Sequence, residues 1–267
     1  MSFYKNKRGI STLTIVVIII IASSAIIAGA DFSGIWPSVN TVTRDEDFSD
    51  FTIVDIGSAF EAEITQSNSY SIKITADDNI MEHIQVSKTG ETLAISITGI
   101  IIPPGTFKAE ITMPELHELR FSGATHGIAT GFSSTHNLTL TLSGASSLDP
   151  DISAKYVEIN LEGASRLQGE VTASGDAKFI ISGASTVELT GSAEDLEVGE
   201  CSGASSLELS NFPVNNANVN LSGASSATIK LDGRLDADLS GASNLYYIGE
   251  PTMGNIVISG GSTATKQ

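Results

Sequence analysis

Only one cysteine, Cys201, stands in the 267 residues, so no intramolecular disulfide can form. It falls at the same inward position of a repeat as Ile181 and Leu221, which makes it a small buried hydrophobe rather than a nucleophile. Basic residues are scarce. Lys plus Arg number 14 against 31 Asp plus Glu, giving a formal net charge of −17 and a pI near 4.4. That field repels phosphate backbones and argues against nucleic acid as a partner. It leaves a solubilising surface, cation binding or life in high salt as the remaining readings. Aromatic residues make up only 6% of the chain, while aliphatics bring the hydrophobic content to 41%, as a thin core filled by aliphatic side chains requires. No HExxH, no Gly-x-Ser-x-Gly elbow and no calcium-binding nonapeptide with paired glycines and aspartate occurs. Lys88-Thr89-Gly90 matches a β-lactamase fragment, but without a Ser-x-x-Lys or Ser-Asp-Asn partner it reads as a hairpin turn. Neither a cofactor nor a metal is expected.

What the chain does have is repetition. Ser143-Gly144-Ala145-Ser146 recurs almost to the end, with its glycine at Gly123, Gly144, Gly163, Gly183, Gly203, Gly223, Gly241 and Gly260. The spacings are 21, 19, 20, 20, 20, 18 and 19, the mark of a solenoid that adds one coil per repeat. Two residues before each glycine stand Phe121, Leu142, Leu161, Ile181, Cys201, Leu221, Leu239 and Ile258. Four residues after it stand Leu148, Leu167, Val187, Leu207, Ala227, Leu245 and Ala264, with Gly127 out of line. The flanks alternate apolar and polar, which predicts short strands with one side chain in and the next out. Stacked at roughly 4.8 Å, equivalent positions form apolar ladders along an axis. The glycine sits at a corner, in a conformation closed to larger residues.

The expected fold is therefore all-β, a parallel β-helix with coils of about 20 residues. The variable spacing and the lack of a hexapeptide pattern favour a right-handed coil over a left-handed one. Residues 121–262 carry the repeats. Residues 51–120 lack them, hold more aromatics, and read as first coils plus the atypical end that a solenoid needs to close its core. Strands are expected at 51–56, 60–65, 70–75, 84–87, 93–98, 107–113 and 119–122, separated by turn signals such as Gly57-Ser58, Asp77-Asp78-Asn79 and Pro103-Pro104-Gly105.

Ahead of this domain (51–267) the polar stretch 31–50 reads as a linker, and 1–30 as a membrane-directed leader. Lys5, Lys7 and Arg8 precede an apolar run, Ile10 to Ala30, with no charge before Asp31. Three readings stay open: a cleaved signal ending at Ala28-Gly29-Ala30, an uncleaved transmembrane anchor, or a leader cut after Gly9. Lys7-Arg8-Gly9 resembles archaeal pilin leaders, although Thr14 stands where the bacterial version has Glu. All three keep the basic head in the cytoplasm and place the rest outside it, anchored or secreted.

Phe60-Glu61-Ala62-Glu63-Ile64-Thr65-Gln66, Tyr70-Ser71-Ile72-Lys73-Ile74-Thr75-Ala76-Asp77, Gly90-Glu91-Thr92-Leu93-Ala94-Ile95 and Met113-Pro114-Glu115-Leu116-His117-Glu118-Leu119 follow one another in order, then give way to Phe121-Ser122-Gly123-Ala124 and the repeats. This succession resembles the DUF2807 family, the auto-transporter adhesin head (GIN) domain, over about residues 50 to 262. The resemblance implies an exported right-handed β-helix and carries no catalytic residues across. Fold alone does not fix function.

Two functional classes follow. The first is a non-catalytic cell-surface module, an adhesin or envelope component, binding a glycan or protein through its outward Ser, Thr and Asn rows. Oligomers formed through the solenoid ends are compatible with it. Ser146, Ser165, Ser185, Ser205, Ser225 and Ser243 stand beside corner glycines and are expected to turn the chain and keep the surface soluble. The second class is a carbohydrate-active enzyme, which needs clustered acids on one face. The clusters are Asp149 with Asp151, Glu194 with Asp195 and Glu197, and Asp232 with Asp236 and Asp238, and none is expected to have a matched Arg or Lys nearby. Among the histidines His83, His117, His126 and His136, the pair His126 and His136 lies ten apart around one coil and is within reach of meeting. Two sequons, at Asn137 and Asn220, are glycosylation candidates in an exported chain, with the Asn220 side chain expected to face out.

Overall fold

The computed structural model describes residues 38, 40–99, 105 and 107–267. The expected leader and the Pro103-Pro104 turn lie outside the described residues. Among the described residues no helix is long and apolar enough to cross a membrane.

The chain is a β-solenoid of about seven turns. It is built from a 12-stranded and an 11-stranded sheet that share one continuous core. Each repeat coil gives one strand to each sheet. Leu138–Leu142 lies in the 11-stranded sheet, the chain turns at 143–146, Ser147–Ala154 lies in the 12-stranded sheet, and a second turn at 155–156 leads to Val157–Leu161, which pairs in parallel with Leu138–Leu142. The alternation in sequence becomes alternation in burial, and Leu138, Leu140 and Leu142 point inward. Register then stacks Leu142, Leu161, Ile181, Cys201, Leu221 and Leu239 into one ladder, each at most 1% exposed. Ile258 ends the ladder in the last coil and is 47% exposed.

The glycine corner explains the repeat. All eight repeat glycines have φ between 66° and 80°, the left-handed region that disfavours a Cβ. They also stack directly on one another. The carbonyl of Gly123 accepts a hydrogen bond from the Ala145 N–H at 2.7 Å, that of Gly144 from Ala164 at 2.7 Å, and so on to Gly241 and Gly261. A Cβ at Gly144 would meet the Gly123 oxygen at 2.5 Å. In the first coil Ser58 takes the corner position, with φ of 80° and its carbonyl accepting from Ala124.

The serines of the motif lie elsewhere than the sequence suggested. Ser146, Ser165, Ser185, Ser205, Ser225 and Ser243 are at most 2% exposed, so they form a buried row rather than a soluble outer one. The reason is local. The Ser185 hydroxyl donates to the Ser182 carbonyl at 2.9 Å, and Ser146, Ser165 and Ser225 do the same three residues back. A small hydroxyl can thus turn inward, because its own chain satisfies it.

The first strands are β1 (Thr41–Glu46), β2 (Ile53–Ile56), β3 (Glu61–Gln66), β4 (Ser71–Asp77), β5 (Ile84–Thr89), β6 (Thr92–Ile97), β7 (Phe107–Met113) and β8 (Glu118–Phe121). The pairs β1–β4, β4–β7 and β5–β6 are antiparallel, whereas the repeat coils pair in parallel. These antiparallel strands close the N-terminal end. Phe51 packs on Tyr70 at 4.8 Å between ring centres and Phe60 on Phe107 at 6.1 Å, filling the end with aromatic side chains. β1 falls inside the stretch read as a linker. Its side chains give it a partner: Arg44 donates to the carbonyls of Met81 and Ile84, fastening β1 to the adjoining turn.

Candidate functional surface

The corner opposite the glycines carries polar side chains in columns. Pairing places Val157, Ala177, Leu196 and Ala217 on one inward rung, and the residues just before them, Tyr156, Asp176, Asp195 and Asn216, follow the outer edge from coil to coil. One step further along each strand, Glu158, Lys178, Glu197, Asn218 and Asp236 stand in register on the outer face. Between these columns runs a shallow groove of about 220 Å³, which Asp176, Asp195, Glu197, Asn216 and Asp236 help to line. Its edge is fixed by cross-coil bonds. Asp195 accepts from both the backbone N–H and the side-chain amide of Asn216, at 3.0 and 2.9 Å, and Asn216 accepts from the Arg234 N–H at 2.8 Å.

The acid clusters behave differently from one another. Asp195 and Glu197, from one coil, and Asp236, from two coils further on, line the same groove. Asp149 and Asp151 are exposed on the other sheet and do not join them. Asp232 accepts the Glu250 N–H. The expectation that no cation stands near these acids is overturned. Arg234 grips Asp236 with two bonds, 2.6 and 2.7 Å, and Lys178 lies 3.7 Å from Glu197 on the neighbouring coil. Two-residue spacing on a strand puts Arg234 and Asp236 on the same face, and coil register does the same for Lys178 and Glu197. The Arg234 bonds hold the Asp236 carboxyl down to about 2. That carboxylate stays ionised and suits anchoring better than proton donation.

His126 faces Ser147 and does not meet His136. His136 instead approaches His117, with ring centres 4.9 Å apart, and Glu115 joins both. His117 and His136 are separated by one coil length, 19 residues, which is the signal in the sequence that could have found the pair. The groove carries the same signal in Tyr156, Asp176, Asp195 and Asn216, at intervals of 20, 19 and 21. Lys88-Thr89-Gly90 does lie at a hairpin: Lys88 and Thr89 end β5, and Gly90 with Glu91 makes the turn into β6. Asn137 is exposed in the turn after His136. Asn220, on an outward position between buried Val219 and Leu221, is half-buried and donates to the Gly199 carbonyl at 3.3 Å. Cys201 is fully buried, and burial pushes its thiol up to about 11.

Comparison with known structures gives the same architecture. A "putative adhesin" from Parabacteroides merdae matches at TM-score 0.81 and 19% identity, over 88% of this chain and 99% of the other. A "putative lipid binding protein" from Parabacteroides distasonis matches at TM-score 0.73 and 17% identity, over 88% and 100%. A "putative adhesin" from Bacteroides fragilis matches at TM-score 0.63 and 25% identity, over 88% and 100%. No curated protein matches the chain. The model of DUF2807, described as "Putative auto-transporter adhesin, head GIN domain", matches residues 50–251, and the chain belongs to that family.

Proposed function

We propose that this chain is a non-catalytic binding module of the cell surface, an adhesin or envelope component, and that the grooved polar flank is its contact surface. The observation that carries this reading is the column of outward polar groups, one per coil, fixed by bonds from Asp195 to Asn216 to Arg234. Groups repeated at strand spacing, roughly 4.8 Å, match an extended polymer better than a compact small molecule. A glycan of the envelope is the partner this flank suits best, its hydroxyls donating to the carboxylates and accepting from Lys178 and the amides. The ion pairing of Asp236 supports binding over proton transfer. In this reading the leader within 1–30 takes the chain across the membrane, with the solenoid outside it. Exposed Asn137 is the better placed of the two glycosylation acceptors.

The test incubates the full chain with envelope polysaccharides and with whole cells, following retention and released sugar ends together. Retention without released ends, reduced by Asn216→Ala or Glu197→Gln, is the expected result. Released ends would move the chain to the carbohydrate-active enzymes. Retention indifferent to both substitutions would remove the flank from its role.

A further inference from the structure

Glu115 and His117 lie in the turn between β7 and β8, and His136 lies in the turn between His126–Ser133 and Leu138–Leu142, one coil on. Among the described residues these three form the one group in which a donor atom from each lies within 4.8 Å of the others. The same carboxylate oxygen, Oε2 of Glu115, is 3.3 Å from His117 Nε2 and 3.6 Å from His136 Nδ1. His117 Nε2 is buried and makes no hydrogen bond, even to that oxygen. Among the described residues it is the one buried side-chain polar atom left so. A buried ring nitrogen without a partner is costly and calls for an explanation.

Tetrahedral coordination supplies one. Zinc bonds to His nitrogen and carboxylate oxygen are about 2.0–2.1 Å, so neighbouring donors around one ion stand about 3.3–3.4 Å apart. The two separations to Glu115 Oε2 fall at or near that edge, while the failed hydrogen bond shows that the His117 nitrogen is not aimed along a donor–acceptor line. The two imidazole donors, within 4.8 Å of each other, close on a shared ion by side-chain rotation that also takes His136 Nδ1 off the Ser134 hydroxyl 3.3 Å away, and Glu115 and His136, both about half exposed, have room to make it. We propose that Glu115, His117 and His136 form a site for a divalent transition metal of the zinc class, with water in the fourth position. Two imidazoles and one carboxylate favour zinc over calcium or magnesium, which take oxygen ligands. The site lies on the corner that carries the polar groove, at its N-terminal end. It stands independently of the adhesin reading.

The test uses the full-length chain, solubilised in nonionic detergent, freed of metal, and titrated with Co²⁺ and then Zn²⁺ in excess Mg²⁺, which occupies the acidic surface. The expected result is one Co²⁺ per chain with the intense visible bands of four-coordinate cobalt, displaced by Zn²⁺. Affinity should fall by at least about tenfold in Glu115→Gln and His136→Gln, while His126→Ala binds as the parent does. Glu115 and His136 are exposed, so these two variants stay informative if His117→Ala misfolds, and circular dichroism checks each of them. Absence of the bands, or bands unchanged in Glu115→Gln and His136→Gln, would overturn the assignment.

Discussion

Replacing Gly144 by alanine separates two reasons why the corner must be glycine. Gly144 has φ of 76°, and moving an L-residue into this region costs about 1–2 kcal/mol. The added methyl carbon also meets the Gly123 carbonyl oxygen at 2.5 Å and its nitrogen at 3.1 Å, and both are backbone atoms that cannot swing aside. That carbonyl already accepts from the Ala145 N–H at 2.7 Å, so displacing it strains the stacking bond as well. Overpacking of this kind costs a further 1–3 kcal/mol or so. A smaller unfolded-state entropy returns about 0.4–1 kcal/mol. The net loss is about 1–4.5 kcal/mol. Gly90 provides the control. Its φ is 60°, and nothing lies within 4 Å of an added Cβ, so Gly90→Ala carries the conformational term alone, about 0–1.5 kcal/mol after the same offset. Urea unfolding of the full chain, followed by circular dichroism with the slope checked for constancy, measures both. If Gly144→Ala is no more damaging than Gly90→Ala, stacking of the corners is not what fixes the glycine.

Three other outcomes follow from the same geometry. Ser185→Ala removes a buried hydroxyl and its bond to the Ser182 carbonyl and should cost about 1 kcal/mol in the same assay, whereas a solvent-facing serine would cost nothing. In Arg234→Gln the Asp236 carboxyl should titrate above its present value of about 2 in a carbon-detected NMR titration, since the Arg234 bonds are its largest cause of depression. Because the folded carboxyl is depressed, its contribution to stability is complete above the ordinary aspartate range and is lost as pH falls through about 2. Arg234→Gln should flatten that acid limb, and an unchanged limb would refute the pairing. The Cys201 thiol should resist an aromatic disulfide reagent at pH 8 until the chain unfolds. Its raised value means that it weakens the fold only as pH climbs from near 9 toward about 11. Rapid labelling of the native chain would contradict its burial.

The solenoid was legible because a ladder repeats its own signal. Leu142, Leu161, Ile181, Cys201 and Leu221 occupy one position in successive coils, and each repetition strengthens the same inference. The strands before the repeats were legible too, with β7 at Phe107–Met113 matching the expected bounds. Direction was harder to read. Alternation says that neighbouring residues point opposite ways within a strand, but it does not extend through a corner. Ser146 and Ser185 therefore looked like surface residues although both are buried. β1 was missed because Thr41–Glu46 is an edge strand with mostly exposed side chains, which by pattern resembles a linker. The contacts between side chains of successive coils were the least visible. Glu115, His117 and His136 approach one another across a full coil, and a search for ligands a few residues apart passes over them.

Strands that run around a solenoid place their hydrogen bonds along its length. Ala145 to Gly123 and Ala164 to Gly144 are rungs of one axial ladder, and tension between the two ends of the chain loads such rungs one after another. A solenoid pulled in this direction yields by peeling. Every coil that lets go releases about 20 residues, or about 70 Å of extended chain, where it had occupied about 5 Å of axial length. The remaining coils keep their mutual contacts, because each touches only its neighbours. A sudden load is thereby converted into a succession of small lengthenings, with much of the flank still folded.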